Sequence, residues 1–440
     1  MKSNPLHRIV IVGGGVGGLE LAVRLGRLSG RDRTHVPLLI DQGLTHLWKP
    51  LLHEVAAGTL DAGYEADDYL VLARRNGFHF RPGTMTGLSR KYKTIQLDEV
   101  IDSDGVMVLP ATDISYDTLV LALGSESNDF GIPGVKEHCL FIDNQRQANH
   151  LQSLLISRLL SLQYRCQRES TSLPKLQVAI VGAGATGVEL AAELHNVAKK
   201  IKGFGFDSLD EVKPIHITLI EAAPRILPAL SERVSLAAQR QLEKRGVQIL
   251  TNLKVQKITE ETVQVAEGGA IHADLKVWAA GIKAPDFLSR LDGLEVNPIN
   301  QLNVRQDLRS TLDANIFAMG DCAHCPQPAR GQSSVPPRAQ AAHQQAALLA
   351  KNLVRRLNGQ TMENYVYRDH GSLISLSQSF IGNLMGNLIG TRFVEGYVAR
   401  WVYLSLYRSH QIVLHGTFRT ILMMIVDRLR RRFKPRLKLH

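Results

Sequence analysis

Two stretches of the chain, IVIVGGGVGGLELA at residues 9–22 and VAIVGAGATGVELAAEL at residues 178–194, repeat one pattern that decides the fold class. Each stretch starts with a β-branched run, continues with glycines at G-x-G-x-x-G spacing and ends in a segment of good helix formers. The glycines are Gly13, Gly15 and Gly18 in the first copy and Gly182, Gly184 and Gly187 in the second. In a strand–turn–helix context they allow a tight turn, close approach of a pyrophosphate and close helix–strand packing. We therefore predict an α/β protein with two Rossmann-like dinucleotide-binding domains.

An acidic residue ends the strand that follows each fingerprint. Asp41 follows an apolar run at residues 36–40, and Glu221 follows a second run at residues 215–220. A carboxylate at this place accepts a hydrogen bond from a ribose 2′-hydroxyl and disfavours a 2′-phosphate. Arg225 is close enough in sequence to accommodate such a phosphate, but Glu221 favours NADH over NADPH. Two dinucleotide sites in one chain indicate a redox relay, with nicotinamide at one site and a flavin at the other.

Composition restricts the class and the location of the protein. Its 440 residues suit two or three domains, and four cysteines are too few for a disulfide-stapled secreted scaffold. The net charge of +11 is concentrated at the end, because residues 401–440 hold nine Lys or Arg and one Asp. The apolar run before the first glycines is short for a signal peptide, and residues 371–391 are too polar to span a bilayer. We expect a cytoplasmic protein without a transmembrane segment.

Three further segments end an apolar strand in glycine: residues 119–125, 277–281 and 316–321. Each alone is equally typical of a buried strand that turns at its end. Their order around the two fingerprints favours cofactor contacts instead, and Asp321 suits the ribityl hydroxyls of a flavin. The candidate cofactor residues in these segments are Gly124, Ala280, Gly281 and Asp321.

Several longer motifs carry a resemblance to a known family. They are HLWKPLLHEVA at residues 46–56, TGVEL at 186–190, VWAAGIKAP at 277–285, GDCA at 320–323 and PPRAQAAHQ at 336–344. With these motifs the chain resembles the two-dinucleotide-binding-domain flavoproteins, and among them the bacterial type II NADH dehydrogenases. The resemblance implies that the first fingerprint binds FAD and the second NADH. It also implies transfer of two electrons from NADH through FAD to a membrane quinone such as ubiquinone, in a respiratory chain and without proton pumping.

The same resemblance assigns roles to individual residues. The A-Q-x-A-x-Q signature places Ala339, Gln340 and Gln344 beside the flavin and the quinone, where Gln340 can bind a quinone carbonyl. Lys49 can stabilise negative charge on a reduced flavin. Glu189 has family precedent for a place near the nicotinamide and for proton delivery, but it is equally typical of a carboxylate in the first turn of a helix.

The catalytic candidates are thus Gln340, Glu189 and Lys49. Hydride transfer between stacked rings needs no acid or base, whereas reduction of a quinone consumes two protons. Glu189, His343 and water all stay open as their source.

The positions of the cysteines bear on the main alternatives to this function. Residues 41–64 contain no cysteine, which excludes the dithiol of flavoprotein disulfide reductases. Cys139, Cys166 and Cys322 keep a sulfide:quinone reductase open. Cys322 and Cys325 form a C-x-x-C that suits redox chemistry or a copper or zinc site, but we favour a reduced structural pair at the start of a helix after Asp321. A metal (copper) reductase that uses Cys322 and Cys325, a soluble reductase of an iron–sulfur protein, and a non-enzymatic nucleotide sensor or DNA-binding protein are further alternatives.

The basic end of the chain is predicted to form an amphipathic helix. From Phe418 to Phe433 apolar residues recur every three or four positions, followed by a cluster of Arg and Lys. Such a helix is about 24 Å long by its rise per residue, too short for a ~30 Å hydrocarbon core. Its alternatives are packing on its own domain or a solvated, nucleic-acid-binding tail.

We favour peripheral association with anionic lipid, on the cytoplasmic side of the inner membrane and without a nucleic-acid partner; a homodimer is left open. Four upstream aromatic residues suit an interfacial belt: Tyr397, Trp401, Tyr403 and Tyr407.

These features predict a domain plan. A discontinuous FAD domain comprises residues 1–120 and 290–345, and an NADH domain comprises residues 121–289. The remaining residues, 346–440, form a C-terminal unit with a hairpin region near 371–395 and the basic helix.

Overall fold

The computed structural model describes residues 6–29, 35–169, 175–200, 214–327, 334–377, 379–386 and 390–433. Its first sheet consists of parallel strands with the first fingerprint strand in the middle. In spatial order the strands are Ile316–Ala318, Thr118–Leu121, His7–Val12, His35–Asp41 and His79–Pro82. The apolar residues of the central strand are almost completely buried, as expected for a parallel sheet covered on both faces.

A second parallel sheet is built in the same way around the second fingerprint strand. Its strands are, in spatial order, Gln248–Leu250, Ile215–Ile220, Leu176–Val181 and Leu275–Trp278. The longer helices among the described residues of this unit are Gln145–Glu169, Ala185–Lys200 and Glu232–Arg245. In both sheets a helix starts directly after the glycine turn, Val16–Leu28 in the first case and Ala185–Lys200 in the second. The predicted α/β class with two Rossmann-like units is confirmed.

The chain passes between the two units through an antiparallel pair of short strands, Glu126–Ser127 and Ile282–Lys283. The strand Ile316–Ala318 then pairs with Thr118–Leu121, which returns the chain to the first sheet. This pairing supports a discontinuous first domain. The limits at 120 and 345 fall inside a strand and inside the helix Ala339–Leu357, and the division into domains stays a prediction.

Smaller elements complete the two units. The antiparallel strands are Met85–Ser89, Thr94–Leu97 and Thr112–Ser115; Val100–Ile101 and Met107–Leu109; Val255–Ile258, Thr262–Val265 and Ala270–His272; and Thr45–His46 with Asp67–Asp68. Leu302–Asn303 and Ala323–His324 form a parallel pair. The short helices are Leu52–Ala56, Ala62–Glu65, Tyr69–Asn76 and Val135–His138.

The last part of the chain adds an antiparallel sheet and two helices. The strands Gly371–Leu376, Ser379–Gly386 and Gly390–Glu395 lie where the hairpin region was predicted. The helices Tyr397–His415 and Thr417–Phe433 follow, separated by Gly416. Within the described ranges, no helix has both the length and the apolar character needed to cross a bilayer.

The predicted interfacial belt is wrong for two of its aromatic residues. Tyr403 and Tyr407 are buried, and the Tyr407 ring stacks on Trp48 with 4.9 Å between ring centroids. Tyr403 packs against Phe380 at 5.3 Å. These tyrosines face the protein because the helix Tyr397–His415 packs on the first unit and on the C-terminal sheet. The side chains of Tyr397 and Trp401 lie outside those described.

Candidate active site

The first glycine turn has the geometry of a phosphate-binding loop. Gly13 has a φ of 107°, and a Cβ atom there would lie 2.3 Å from the carbonyl oxygen of Ala122. A Cβ on Gly18 would lie 1.9 Å from the carbonyl oxygen of Gly13, so the third glycine allows the helix to pack on the turn. Gly15 differs from both, because a Cβ there meets no atom within 4 Å. It precedes a helix start that no side chain caps, which leaves room and N–H groups for a pyrophosphate.

The second glycine turn repeats these features. Gly182 has a φ of 101°, and a Cβ on Gly187 would lie 2.0 Å from the carbonyl oxygen of Gly182. A Cβ on Gly184 again meets no atom within 4 Å. Each turn therefore has two glycines that the protein's own packing requires and one that leaves open space. Both turns fit a dinucleotide.

The two acidic residues hold equivalent places. The carboxylate of Asp41 accepts hydrogen bonds from the N–H groups of Gly14 at 2.6 Å and Gly43 at 2.8 Å, and burial raises its pKa. The carboxylate of Glu221 accepts from the N–H groups of Ala183 at 2.7 Å and Ala223 at 2.9 Å. Each carboxylate thus lies directly against its glycine turn, as the ribose-binding role requires.

Arg225 is turned to its own loop. Its guanidinium donates to the carbonyl oxygens of Leu227 at 3.3 Å, Pro228 at 3.0 Å and Leu230 at 2.8 Å. These three bonds hold the guanidinium of Arg225, the group that the sequence offers for a 2′-phosphate, against its own loop.

Lys49, Gly124 and Asp321 are brought together at the carboxyl end of the first sheet. Lys49 Nζ donates to the carbonyl oxygen of Ser125 at 2.7 Å, and Ser125 Oγ donates to Asp321 Oδ2 at 2.8 Å. Gly124 has a φ of 69° and open space at the position of a Cβ. Ligands of such sheets bind outside the carboxyl ends of the strands.

Ala280 and Gly281 lie beside the second turn. A Cβ on Gly182 would lie 2.6 Å from the Cα of Ala280. Gly281 has a φ of 63°, and a Cβ there would lie 2.3 Å from the ring of Phe130. Gly281 is thus required by local packing as well as by any cofactor contact.

The A-Q-x-A-x-Q signature forms the start of the helix Ala339–Leu357, which no side chain caps. Gln345 of this helix accepts from the N–H of Gly320 at 2.7 Å and so fixes the helix beside the turn of Asp321. Gln340 Nε2 donates to Asp369 Oδ1 at 3.3 Å and to the carbonyl oxygen of Gly371 at 3.2 Å. The helix start therefore lies next to the Lys49 and Asp321 cluster.

Gln344 is bound more tightly to the same extended segment. Its Nε2 donates to the carbonyl oxygen of Arg368 at 2.8 Å, and its oxygen accepts from the N–H of Arg368 at 3.0 Å. The two glutamines thus hold residues 368–371 against the helix.

Glu189 is buried in the helix Ala185–Lys200, beyond its first turn, so the interpretation as a first-turn carboxylate is wrong. Its Oε1 accepts from the N–H of Ser375 at 2.9 Å, and its Oε2 lies 3.5 Å from His53 Nδ1. Burial, together with the charges of Glu54 and Glu193, raises the pKa of Glu189 to about 8.

Glu189 and Gln340 contact the same strand at different points. Gln340 binds the carbonyl of Gly371 and Glu189 binds the N–H of Ser375. The rise of a strand separates these two points by about 10 Å. The two candidate catalytic groups therefore do not share one small pocket.

Sequence analysis missed one buried carboxylate of the first unit, Glu20. Glu20 is fully buried in the helix Val16–Leu28 and contacts His343 and His410, both at 2.8 Å. His343, one of the candidate proton donors, is thus bound to Glu20. The sequence contained one indication of Glu20, because Glu20 and Glu189 both stand two residues after the third glycine of a fingerprint.

The cysteines do not form the predicted arrangement. Cys322 ends a short turn, Gly320–Cys322, and is followed by the strand Ala323–His324, so its predicted place at the start of a helix is wrong. Burial raises the pKa of Cys322 and Cys325 to about 11 and that of Cys139 to about 12, which disfavours thiolate chemistry. In the part of the chain that the structure describes, no group of three or more His, Cys, Asp or Glu residues could hold a metal ion. The side chain of Cys166 lies outside those described.

Comparison with known proteins agrees with this geometry. Residues 7–346 match the pyridine nucleotide-disulphide oxidoreductase family, and the chain belongs to this class of enzymes. A type II NADH:quinone oxidoreductase of Haemophilus influenzae is 40% identical over 99% of the chain and 100% of its own length. One of Staphylococcus aureus is 30% identical over 87% of the chain and 90% of its own.

Within that class, the chain belongs to the type II NADH:quinone oxidoreductases, and the family predicted from the motifs is confirmed. A solved structure of NDH2 from Plasmodium falciparum in complex with NADH has the same fold. It superposes with a TM-score of 0.80 at 19% identity and covers 98% of this chain and 100% of that one.

Proposed function

We propose that the first glycine turn binds FAD, that the second binds NADH, and that electrons pass from NADH through FAD to a membrane quinone. The observation that carries this proposal is the pair of turns in which Gly15 and Gly184 leave open space at an N-terminal helix end. The bound flavin would supply two-electron chemistry, accepting hydride from NADH. The chain supplies binding, orientation and electrostatics.

The Lys49 and Asp321 cluster supports the choice of the first turn for FAD. Asp321 accepts from Ser125, which leaves a carboxylate oxygen available to a ribityl hydroxyl beside Gly124. Lys49 brings a positive charge to the same edge, and the uncapped helix start at Ala339 adds its positive dipole end. Both favour negative charge on a reduced flavin.

NADH is favoured over NADPH at the second turn. Glu221 is fixed against that turn by two backbone N–H groups, where its charge repels a 2′-phosphate. The guanidinium of Arg225 is held by three carbonyl oxygens of its own loop and does not offset that repulsion.

The quinone is proposed to bind at the start of the helix Ala339–Leu357, in contact with Ala339 and Gln340. The bonds of Gln340 at 3.2 and 3.3 Å are longer than the usual 2.9–3.0 Å, so a quinone carbonyl can replace one of them at low cost. Gln344 has bonds of 2.8 and 3.0 Å, and we assign it to holding the segment around Arg368. Glu189 holds a proton at pH 7 and is proposed to supply protons to this site through solvent.

Peripheral membrane association is proposed for the helix Thr417–Phe433. Its predicted apolar stripe is exposed rather than packed on the protein, with Phe418 at 80% and Leu429 at 55%. The other exposed members of the stripe are Ile421, Leu422, Ile425 and Val426. Burial of such a side chain contributes roughly 1.5–3 kcal/mol, more than the ~1 kcal/mol of a surface arginine on anionic lipid. We place the protein on the cytoplasmic face of the inner membrane; the homodimer stays a prediction.

Deleting the chain from Thr417 onward should release the protein from membranes because it removes this stripe. Flotation with vesicles that contain anionic lipid measures the effect. A matched control, Arg419→Gln with Arg428→Gln, should weaken flotation only at low salt. Unchanged flotation of the deletion variant would remove the helix from the proposed role.

The electron-transfer proposal is tested by adding NADH to the purified protein without oxygen and then adding a short-chain quinone. The flavin absorbance should bleach with NADH and return with quinone. A protein that stays colourless after reconstitution with FAD contradicts the proposal. A flavin that bleaches but does not recover with quinone contradicts the assignment of the acceptor.

A further inference from the structure

A buried chain of hydrogen bonds connects the first glycine turn to the helix Tyr397–His415. The carbonyl oxygen of Gly14 accepts from the hydroxyl of Tyr69 at 2.7 Å and lies 2.9 Å from His46 Nδ1. His46 Nε2 lies 3.0 Å from His410 Nε2, and His410 Nδ1 lies 2.8 Å from Glu20 Oε1. All of these side chains are buried.

The acceptor atoms in this series of hydrogen bonds determine which ring nitrogens of the histidines carry a hydrogen. A carbonyl oxygen can only accept, so His46 Nδ1 carries a hydrogen. Burial and the neighbouring His410 lower the pKa of His46 to about 3, so its ring is neutral and its Nε2 accepts. His410 Nε2 must then donate to His46.

The other nitrogen of His410 faces Glu20. Burial alone would raise the pKa of Glu20, but hydrogen bonds from His343 and His410 lower it to about 2. The Glu20 carboxylate, which also lies 3.2 Å from the guanidinium of Arg24, can only accept. Both contacts of His410 are hydrogen bonds only when it donates from both nitrogens, that is, as an imidazolium paired with Glu20.

We propose that Glu20 and His410 are positioning residues of the FAD site, in which their buried ion pair holds His46 against the carbonyl of Gly14. The carbonyl of Gly14 and the N–H of Gly15 belong to one planar peptide unit and point in opposite directions. Fixing the carbonyl thus fixes the direction of an N–H at the open position of the turn. The helix Tyr397–His415 becomes part of the cofactor site, although it lies almost 400 residues after the turn. This inference rests on the proposed binding of FAD at the first turn.

The test uses full-length protein from which FAD has been removed and to which it is added back. The variants are Glu20→Gln, which removes the negative charge that faces His410, and His410→Gln, which has one amide nitrogen in place of the two ring nitrogens that face His46 and Glu20. The control is His415→Gln, which changes a buried histidine of the same helix that pairs with Asp67 at 3.1 Å and makes no contact with the turn. The FAD dissociation constant is measured by flavin fluorescence.

We expect FAD binding to weaken about tenfold in both variants, because Glu20→Gln removes the charge that pairs with His410 and His410→Gln leaves a buried partner unsatisfied. The control should change less than about twofold, a small free-energy difference. The NADH dissociation constant should be the same in all four proteins. Equal loss of FAD affinity in the control, or no loss in the two variants, overturns the proposal. Failure of the wild-type protein to bind FAD would instead contradict the proposed function.

A second measurement is made on the wild-type protein and uses a variant only to assign the resonances. In wild-type protein with ¹⁵N-labelled histidine, the resonances of His410 should show hydrogen on both ring nitrogens at pH 7. They are assigned by their absence from the spectrum of His410→Gln, or of His410→Asn if the first variant does not fold. A His410 ring with one unprotonated nitrogen overturns the proposal.

Discussion

Glu20 and Glu189 occupy the same place in the two copies of the fingerprint, yet the structure gives them opposite protonation states. Both are buried, and each stands two residues after the third glycine of its turn. Glu20 is surrounded by His343, His410 and Arg24, and its pKa is lowered to about 2 despite burial. Glu189 has anionic neighbours, and burial raises its pKa to about 8. The motif determines where the carboxyl group lies, and its surroundings determine its charge.

The two glycine turns also differ in the groups that donate to their carbonyl oxygens. The carbonyl of Gly14 is held by the side chains of His46 and Tyr69, which come from other elements. Its counterpart at Ala183 accepts from the backbone N–H of Leu227 at 2.8 Å. A turn held by buried side chains suits a cofactor that stays bound, and a turn held by a local loop suits a substrate that exchanges.

The difference between the pKa values of Glu20 and Glu189 should have its largest effect on the pH dependence of stability. A carboxyl group with a raised pKa in the folded state binds a proton that the unfolded chain releases near pH 4.5. Glu189 therefore lowers the free energy of unfolding as the pH rises from about 4.5 to 8, by a few kcal/mol. In Glu189→Gln this loss should disappear. Thermal unfolding midpoints at pH 5.5 and 7.5 should differ less in the variant than in the wild type. An equal difference in both proteins would contradict the raised pKa of Glu189.

Glu20 should behave in the opposite way. Because its pKa is lowered in the folded state, its contribution to stability is present above pH 4.5 and is lost as the pH falls toward 2. Glu20→Gln should therefore reduce the unfolding midpoint at neutral pH more than at pH 3.

The next largest effect is expected on quinone reduction when Glu189 is replaced. Glu189→Gln keeps an acceptor for the N–H of Ser375 but cannot release a proton. Quinone reduction should fall about 10- to 100-fold, as expected for loss of a general acid, while bleaching of the flavin by NADH is retained. Stopped-flow measurements separate the two half-reactions.

The pH profile provides the matched control for that prediction. Wild-type quinone reduction should decline above pH 8, where Glu189 loses its proton. Glu54→Gln removes a charge that raises the pKa of Glu189 and should move the decline to lower pH. A decline at the same pH in both Glu189→Gln and the wild type would assign it to another group.

The fold was largely predictable because its information is local. The two glycine turns, their strands and their helices follow from residues 9–22 and 178–194, since backbone geometry there requires glycine. The helix Thr417–Phe433 follows from its apolar period. The protonation states did not follow, because Glu20 contacts a histidine 390 positions away, and no local pattern records that contact. For the same reason Tyr403 and Tyr407 were assigned to an interface, although tertiary packing buries them.

The smallest effect is expected for nucleotide selection, and it compares the two acidic residues directly. Glu221→Gln removes the charge beside the second turn and should reduce the preference for NADH over NADPH about tenfold, equivalent to ~1.4 kcal/mol. Arg225 should not amplify the change, because its guanidinium is held by three carbonyl oxygens. Asp41→Asn makes the same change beside the first turn and should weaken FAD binding without altering that preference. The ratio of kcat/KM for NADH and NADPH measures the outcome. An unchanged ratio in Glu221→Gln would remove Glu221 from this role, and a changed ratio in Asp41→Asn would mean that the two turns do not bind separate nucleotides.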